Sequence, residues 1–166
     1  MRNGIGVAVR RRAGGRGRRG AQIVEASFVF LLLLGLFWLM IDTAWVIFIK
    51  ATLQHAVREG CRYAITSRTD TINGLGHVAS IKQVVRHHAM GLIGDADMDK
   101  IHVRFYEPGT LEEVNDNRGG MLVVVSIENF EARPLVPLLK SGDPIQISVR
   151  AGDRMEASPL GIPPPL

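Results

Sequence analysis

Residues 21–49 read AQIVEASFVFLLLLGLFWLMIDTAWVIFI, and this apolar run organises the rest of the chain. As a helix, the twenty-four residues from Ala26 to Ile49 rise about 36 Å, which exceeds the roughly 30 Å hydrocarbon core of a bilayer. A cleaved secretory signal fits less well, because its apolar core spans about 7–15 residues and ends at a small-residue cleavage site. A helix buried in a soluble protein would need a much larger domain around it. We therefore predict one transmembrane helix over residues 21–49.

The basic side chains are concentrated before the apolar run. The chain has 166 residues and a formal net charge of +4, yet residues 1–20 carry seven arginines and no acidic side chain. Since positive charge stays on the cytoplasmic side of a span, we predict a single-pass inner-membrane protein with a cytoplasmic N-terminus and a periplasmic C-terminal domain. An Arg/Gly segment can also follow a nucleic-acid backbone, but this one contains no aromatic side chain for base stacking. The span accounts for the charge, and we expect no nucleic-acid partner.

Two carboxylates interrupt the apolar run. Glu25 lies near its start, where the dipole at a helix N-terminus favours a negative charge. Asp42 lies about two-thirds along it, where an ionised group costs about 2.5–3.5 kcal/mol on insertion scales. Two interpretations of Asp42 remain open: a protonated or snorkelling residue in an aromatic belt with Trp38 and Trp45, or a polar contact to another helix.

The junction between leader and span carries a specific pattern. The leader ends in RGRRG at Gly20, and the span begins AQIVE, with a small residue at Ala21 and a glutamate five positions after the glycine. This pattern is that of type IV pilins and pseudopilins, and among the leader glycines only Gly20 places Glu25 at the fifth position. With Asp42 and the later segment LQHAVREGCRYA (residues 53–64), the chain resembles the TadE-like family of tight-adherence (Flp) pilus assembly. The resemblance is strong over residues 20–66 and loose over residues 67–156.

The resemblance implies roles for the residues of this junction. A membrane-embedded prepilin peptidase would cut between Gly20 and Ala21, and Glu25 would then meet the new terminal ammonium of a neighbouring subunit. Asp42 would be a second assembly residue. The implied partners are prepilin peptidase, other pseudopilin or TadE-like subunits, the Tad pilus machinery and the membrane. Because glycine disfavours helix, we also expect the leader to stay extended up to the span.

An apolar stripe continues beyond the span, so the helix is predicted to run on to about Ser67. Its members are Leu53, Ala56, Val57, Gly60, Cys61, Ala64 and Ile65. The small residues among them are expected to pack against the domain's own sheet rather than a second copy. A second amphipathic helix is predicted from Val78 onward, ending near Gly91 and Gly94.

Three runs have the composition of strands. Ile101–Phe105 and Ile145–Val149 alternate apolar and polar residues, whereas Met121–Phe130 is apolar on both faces and is predicted to be the central strand. The connections are too short for a crossover helix, which favours antiparallel pairing. We predict an α+β, pilin-like fold: a long N-terminal transmembrane and amphipathic helix, a second helix and a three-stranded antiparallel sheet, with the periplasmic domain at residues 50–158. Residues 159–166 form a Pro-rich tail, expected to be extended and mobile.

No pattern of catalytic or metal-binding residues is complete. Asp95, Asp97 and Asp99 suggest a calcium loop, but the glycine and glutamate required at its sixth and twelfth positions are absent. His87 and His88 lack the i, i+4 spacing of a zinc helix and are expected at a surface edge. Cys61 is expected to be a small core residue. We predict a protein that is not an enzyme, with no catalytic residues, no metal site and no cofactor.

The function predicted from the sequence is that of a minor pseudopilin-like component of a Tad/Flp pilus assembly system, cleaved between Gly20 and Ala21. The alternative is an unprocessed single-pass anchor that tethers a periplasmic binding or interaction module. A third class, a secreted effector released by signal peptidase, would instead begin near Lys50.

Overall fold

Two α-helices and a four-stranded sheet make up the fold. The computed structural model describes residues 16–70, 72–136, 143–158 and 161–166, so the predicted leader lies mostly outside the described residues. The elements are, in chain order, α1 (Arg16–Ile65), α2 (His77–His88), a 3-10 helix (Asp95–Lys100), β1 (Ile101–Tyr106), β2 (Glu113–Val114), β3 (Leu122–Ala132) and β4 (Ile145–Arg154). The predicted α+β class with a long N-terminal apolar helix is confirmed.

Helix α1 is one uninterrupted element of 50 residues that joins the apolar run to the amphipathic stripe. It ends two residues before the predicted limit, because Ser67 adopts a positive φ of 51° and its N–H donates to the Ala64 carbonyl at 3.1 Å. At the other end the expectation of an extended leader is wrong for residues 16–20, which already belong to α1, whereas residues 1–15 lie outside the described residues. Helix formation is cooperative, and the long helix that follows Gly20 lowers the cost of extending it backward through the glycines.

The sheet has the strand order β2-β1-β3-β4, and every neighbouring pair is antiparallel. The antiparallel pairing and the central position of β3 agree with the prediction. The prediction of three strands is wrong, because β2 pairs two residues of the expected loop with the end of β1, Val114 with Phe105 and Glu113 with Tyr106. Two residues are too few for any alternation of polarity to indicate a strand.

The core lies between one face of the sheet and the packed half of α1, with α2 beside it. Fully buried side chains come from every layer: Leu53, Val57 and Ala64 of α1, Ile81 and Val85 of α2, and Val123, Val125 and Ile127 of β3. Each large aliphatic side chain removed from water in this way contributes about 1.5–3 kcal/mol. Gly60 faces Val85 and Val125, so the small-residue ridge packs within the domain, as predicted.

A β-bulge lies in the second half of β3. The register with β4 shifts between Ile127 and Phe130, and Asn129 within the shift has a φ of 55°. The extra residue shifts the alternation of faces by one position. The buried face is therefore formed by Val123, Val125 and Ile127 before the bulge and by Phe130 and Ala132 after it. The strand therefore stays on the core as it approaches the connection at residues 133–136.

The C-terminal segment 161–166 is tied to the domain at the start of α2. The Pro165 carbonyl accepts the His77 N–H at 2.7 Å, and the Pro164 carbonyl accepts from Asn117 Nδ2 at 2.9 Å. Gly76 has no side chain to displace the Leu166 carbonyl, which a Cβ at that position would overlap. Residues 161–166 of the tail are therefore held by specific hydrogen bonds, and the expectation of a mobile tail is wrong for them. The sequence contains no pattern that identifies His77 and Asn117 as the donors.

Candidate functional site

The first half of α1 extends away from the domain. From Ala21 to Met40 nearly every side chain is exposed, although most are apolar. In the part of the chain that the structure describes, α1 is the one helix long and apolar enough to cross a membrane, and its most apolar window has no buried residue. A free-standing helix with an apolar surface all round is stable in lipid rather than in water. The candidate functional site is therefore this projecting segment, which is a candidate membrane anchor.

The predicted cleavage site lies near the beginning of this segment. Gly20 and Ala21 are both exposed, and a Cβ built on Gly20 meets no atom within 4 Å. Nothing covers the peptide bond between them, but both residues are helical. A peptidase would have to unwind the helix around this bond, where Gly17 and Gly20 each lower helix stability by about 1 kcal/mol relative to alanine.

Glu25 stands on a largely apolar face of α1 that also carries Gln22. Its neighbours on that face include Ala26, Val29 and Leu33, and the carboxylate is exposed. It is four residues, one helical turn, beyond Ala21. An ionised carboxylate surrounded by apolar side chains has no favourable place within lipid unless a positive charge or a donor meets it. Among the side chains that the structure describes, which begin at Gly20, the salt bridges all lie beyond residue 85 and none includes Glu25.

Asp42 is placed differently, because the domain covers it. Its side chain is only 9% exposed, and Oδ1 accepts the N–H of Val136 at 2.8 Å. Val136 belongs to the connection between β3 and β4, which contacts α1 at Asp42. The contact is thus to the backbone of the same chain, 94 residues away in sequence. Trp38 and Trp45 lie one turn before and after Asp42. Among the described residues, neither indole forms a hydrogen bond to the Asp42 carboxylate.

The comparison with known families bears on this same segment. The family model of TadE-like proteins matches residues 20–62, from the predicted cleavage site into the packed half of α1. Residues 20–62 are thus similar to TadE-like proteins. The family predicted from the sequence is confirmed over this segment, which is about a quarter of the chain. No curated protein and no solved structure matches the chain.

The TadE-like segment combines two different environments along one helix. Gly20, Ala21 and Glu25 lie on its uncovered part, whereas Asp42 and Cys61 are buried against the domain. The three predicted junction residues are therefore close together, and Asp42 is separated from Glu25 by about 26 Å along the helix axis. The structure brings Asp42 to Val136, a residue that its sequence position had not singled out.

Beyond the TadE-like segment, the predicted acidic and histidine clusters are parts of the surface. Asp95 pairs with Arg86 at 2.6 Å and Asp97 with Lys100 at 2.8 Å, within and beside the 3-10 helix. His87 is exposed, and His88 Nδ1 lies 2.9 Å from the Val84 carbonyl. No group of three His, Cys, Asp or Glu side chains in the described ranges could hold a metal ion.

A buried polar pair was missed by sequence reasoning. His77 is fully buried, and Asn117 Nδ2 lies 3.1 Å from His77 Nδ1. The ring of His77 also stacks on Phe105 at a centroid distance of 6.2 Å. Burial lowers the pKa of His77, and the Ala64 carbonyl opposes that shift. The pair holds the C-terminal segment and therefore has a structural role.

Proposed function

We propose that this chain is a minor pseudopilin-like component of a Tad/Flp pilus assembly system, processed by prepilin peptidase between Gly20 and Ala21. The match of residues 20–62 to the TadE-like family model supports an association with the Tad pilus. The observation that carries the finer proposal is that the family match begins at Gly20, where an exposed Gly–Ala peptide bond precedes Glu25 on an uncovered apolar helix.

Processing would change the charge at the start of the span. The leader and its seven arginines would be lost, and a new ammonium group would appear at Ala21, one turn before Glu25. Both charges would then lie at the edge of an apolar helix, where each is costly unless it is paired. Pairing with a neighbouring subunit offsets the desolvation of the two groups, which supports Glu25 as an assembly residue. The remaining helix provides the rod along which subunits pack.

The orientation in this proposal places the leader in the cytoplasm and the sheet in the periplasm. The arginines of the leader support it, because positive residues are retained on the cytoplasmic side. A prepilin peptidase that works at the cytoplasmic face of the inner membrane would then find Gly20 on its own side. We propose no catalytic role for the chain, which is the substrate of the processing step and later a structural partner.

The second candidate is an unprocessed anchor that tethers the same domain as an interaction module. One observation favours it: α1 already includes Arg16 to Gly20, so the candidate cleavage bond lies in a helix. A peptide must be extended to enter a protease active site, so an intact helix there would slow cleavage. The two candidates therefore differ in the fate of the first twenty residues.

Expression of the full chain with and without a prepilin peptidase, followed by mass measurement of the membrane fraction, tests the proposal. We expect loss of residues 1–20 only when the peptidase is present, and Gly20→Ala should abolish that loss. Gly17→Ala is the matched control, because it removes a leader glycine outside the scissile bond and should leave cleavage intact. An unmodified N-terminus in every sample would support the unprocessed anchor. An N-terminus near Lys50 would indicate signal peptidase instead.

Cleavage and assembly are separated by a second pair of variants. Glu25→Gln keeps the size of the side chain and removes its charge, whereas Gln22→Glu adds a carboxylate one turn earlier on the same face. If Glu25 acts in assembly, Glu25→Gln should still be processed yet should fail to cross-link to neighbouring TadE-like subunits. If the processed Glu25→Gln protein cross-linked normally, the Glu25 carboxylate would not be required for assembly.

A further inference from the structure

The domain first reaches α1 at Asp42. Ile41 is half-buried and the residues before it are almost all exposed, whereas the residues facing the domain are buried or half-buried from Asp42 through Trp45 and Val46 to Ile49. Among the described hydrogen bonds between α1 and the domain, the one from the Val136 N–H in the β3–β4 connection to Asp42 lies nearest to the start of the helix. This connection therefore forms the edge of the domain nearest to the projecting helix.

The length of the projecting helix sets where that edge lies relative to a bilayer. Ala21 to Ile41 is 21 residues, and at 1.5 Å per residue they rise about 32 Å. This matches the hydrocarbon thickness of roughly 30 Å. If the uncovered helix fills the hydrocarbon, Asp42 lies at its outer boundary rather than inside it. The cost of a carboxylate at the centre of a span then does not apply, and the connection at residues 133–136 lies level with the lipid headgroups.

The surface of this connection suits that location. Leu135 points outward and is 56% exposed, although the adjacent Val136 is pinned to α1. Arg133, two residues earlier, is also exposed. Trp38 lies one turn below Asp42 on α1 and is itself partly exposed, and tryptophan is enriched where hydrocarbon meets headgroups. An outward leucine beside an outward arginine is the composition of interfacial segments, in which an apolar side chain enters lipid and a cation remains among phosphates.

We propose that residues 133–136 form a second membrane contact, in which Leu135 inserts into the interfacial layer of the bilayer that surrounds α1. Asp42 holds this contact in place by accepting the Val136 N–H. The occupant of the surface is lipid, because exposed apolar side chains cover most of α1 from Ile23 to Met40, below this loop, and occur again at Ile47 and Phe48. The inference rests on the membrane anchor contained in the proposed function and is independent of the pilus role. It also gives the domain a fixed orientation on the membrane, since two points of contact restrict its rotation about α1.

The depth of position 135 in a bilayer is measured by spin labelling. The full chain is reconstituted at one copy per nanodisc of phosphatidylethanolamine and phosphatidylglycerol, with a nitroxide at Leu135→Cys. Leu33→Cys in the middle of the uncovered helix is the lipid reference, and Leu111→Cys, which is 66% exposed on the β1–β2 loop, is the aqueous reference. The native Cys61 is buried and the parent chain shows whether it takes up label. Collision with oxygen and with a water-soluble nickel complex gives the depth of each label.

We expect the label at position 135 to collide with oxygen more, and with the nickel complex less, than the label at position 111. Equal values at 135 and 111 would overturn the inference while the anchor stands. Protection of 135 from both reagents would also overturn it, because it would show burial against protein. A label at position 33 that reads as aqueous would instead refute the anchor and the proposed function with it.

Variants at Asp42 test the tether separately. Asp42→Asn keeps an oxygen acceptor in the same place, whereas Asp42→Leu removes it while keeping a similar volume. Asp42→Leu should raise collision of the 135 label with the nickel complex toward the value at 111, and Asp42→Asn should not. An unchanged depth in Asp42→Leu would show that Asp42 does not hold the loop. The label at position 33 should be unaffected in both variants, which confirms that the span is still inserted.

Discussion

Val85 of α2 closes directly over Gly60 of α1, so that a Cβ at Gly60 would overlap Val85 Cγ2. The same Cβ would lie 3.6 Å from Val125 and 3.7 Å from Ile81, which is ordinary contact. At Gly60, α1 is therefore in close contact with both α2 and β3. The helix tolerates a poor helix former there because the missing side chain lets α2 pack against it.

Gly60→Ala should destabilise the domain. The gain in helix propensity is at most about 1 kcal/mol, while overpacking costs about 1–3 kcal/mol, and Val85 cannot turn away easily because a valine in a helix has one preferred rotamer. Gly35→Ala is the control, since a Cβ there meets nothing within 4 Å. Thermal unfolding of the full chain in detergent should show a lower midpoint for Gly60→Ala only. The double variant Gly60→Ala/Val85→Ala should lose less stability than the sum of the losses in the two single variants, because the smaller side chain at position 85 removes the overlap. A loss equal to that sum would contradict the overlap.

Much of the fold was predictable because its signals are long and periodic. The apolar run is long enough to indicate a spanning helix, and the stripe from Leu53 to Ile65 has the helical period. β3 is apolar on both faces, as expected of a central strand. The strand β2 was not predictable, since it has two residues and depends on the hairpin that returns to Phe105. The helical start at Arg16 was missed because cooperativity with the following span outweighs the low propensity of the leader glycines.

The candidate site was predictable only where its residues are neighbours in sequence. Gly20, Ala21 and Glu25 form one local motif, and the family match begins at its first residue. The partner of Asp42 was not predictable, because Val136 contributes a backbone N–H that any residue would carry. Its position depends on the bulge at Asn129, which keeps the end of β3 on the core. A contact made by the backbone across 94 residues leaves no pattern in a single sequence.

Asn117→Ala should release the C-terminal segment from α2. Asn117 is buried and its Nδ2 bridges His77 Nδ1 and the Pro164 carbonyl. Loss of such a buried donor costs about 1–3 kcal/mol. Hydrogen exchange should be faster at the His77 amide, which donates to Pro165. Gly76→Ala should give the same result through overlap with Leu166. Asn73→Ala, at an exposed site, should leave hydrogen exchange at the His77 amide unchanged. Full protection of the His77 amide in Asn117→Ala would show that Asn117 does not hold the C-terminal segment against α2.

The stability of the domain should fall in mild acid because of His77. Burial lowers its pKa from 6.5, so between the two pKa values the unfolded chain binds the proton and the folded chain does not. The contribution of neutral His77 is complete above about pH 6.5 and decreases as the pH falls below it, by at most about 1.4 kcal/mol per unit. Urea unfolding between about pH 7.5 and pH 5.5 measures this slope. His77→Gln should reduce the slope of unfolding free energy against pH, whereas the exposed His87→Gln should leave that slope unchanged. An equal slope in the parent protein and both variants would show that another group causes it.

Cys61 should be almost inert toward alkylation in the folded protein. Burial raises the pKa of its thiol from 9.0 to about 11, and the nearby Asp153 carboxylate adds to the shift. Because only the thiolate reacts, this shift alone reduces the reactive fraction near pH 8 by about 100-fold, and burial of the sulfur slows the reaction further. Iodoacetamide labelling followed by mass spectrometry should modify Leu111→Cys rapidly and Cys61 only after unfolding in urea. Asp153→Asn should accelerate the reaction slightly, since the larger cause is burial. If folded Cys61 reacted as fast as the cysteine at position 111, the thiol would be accessible to a partner, and its place in the core beside Val57 and Ala64 would have to be abandoned.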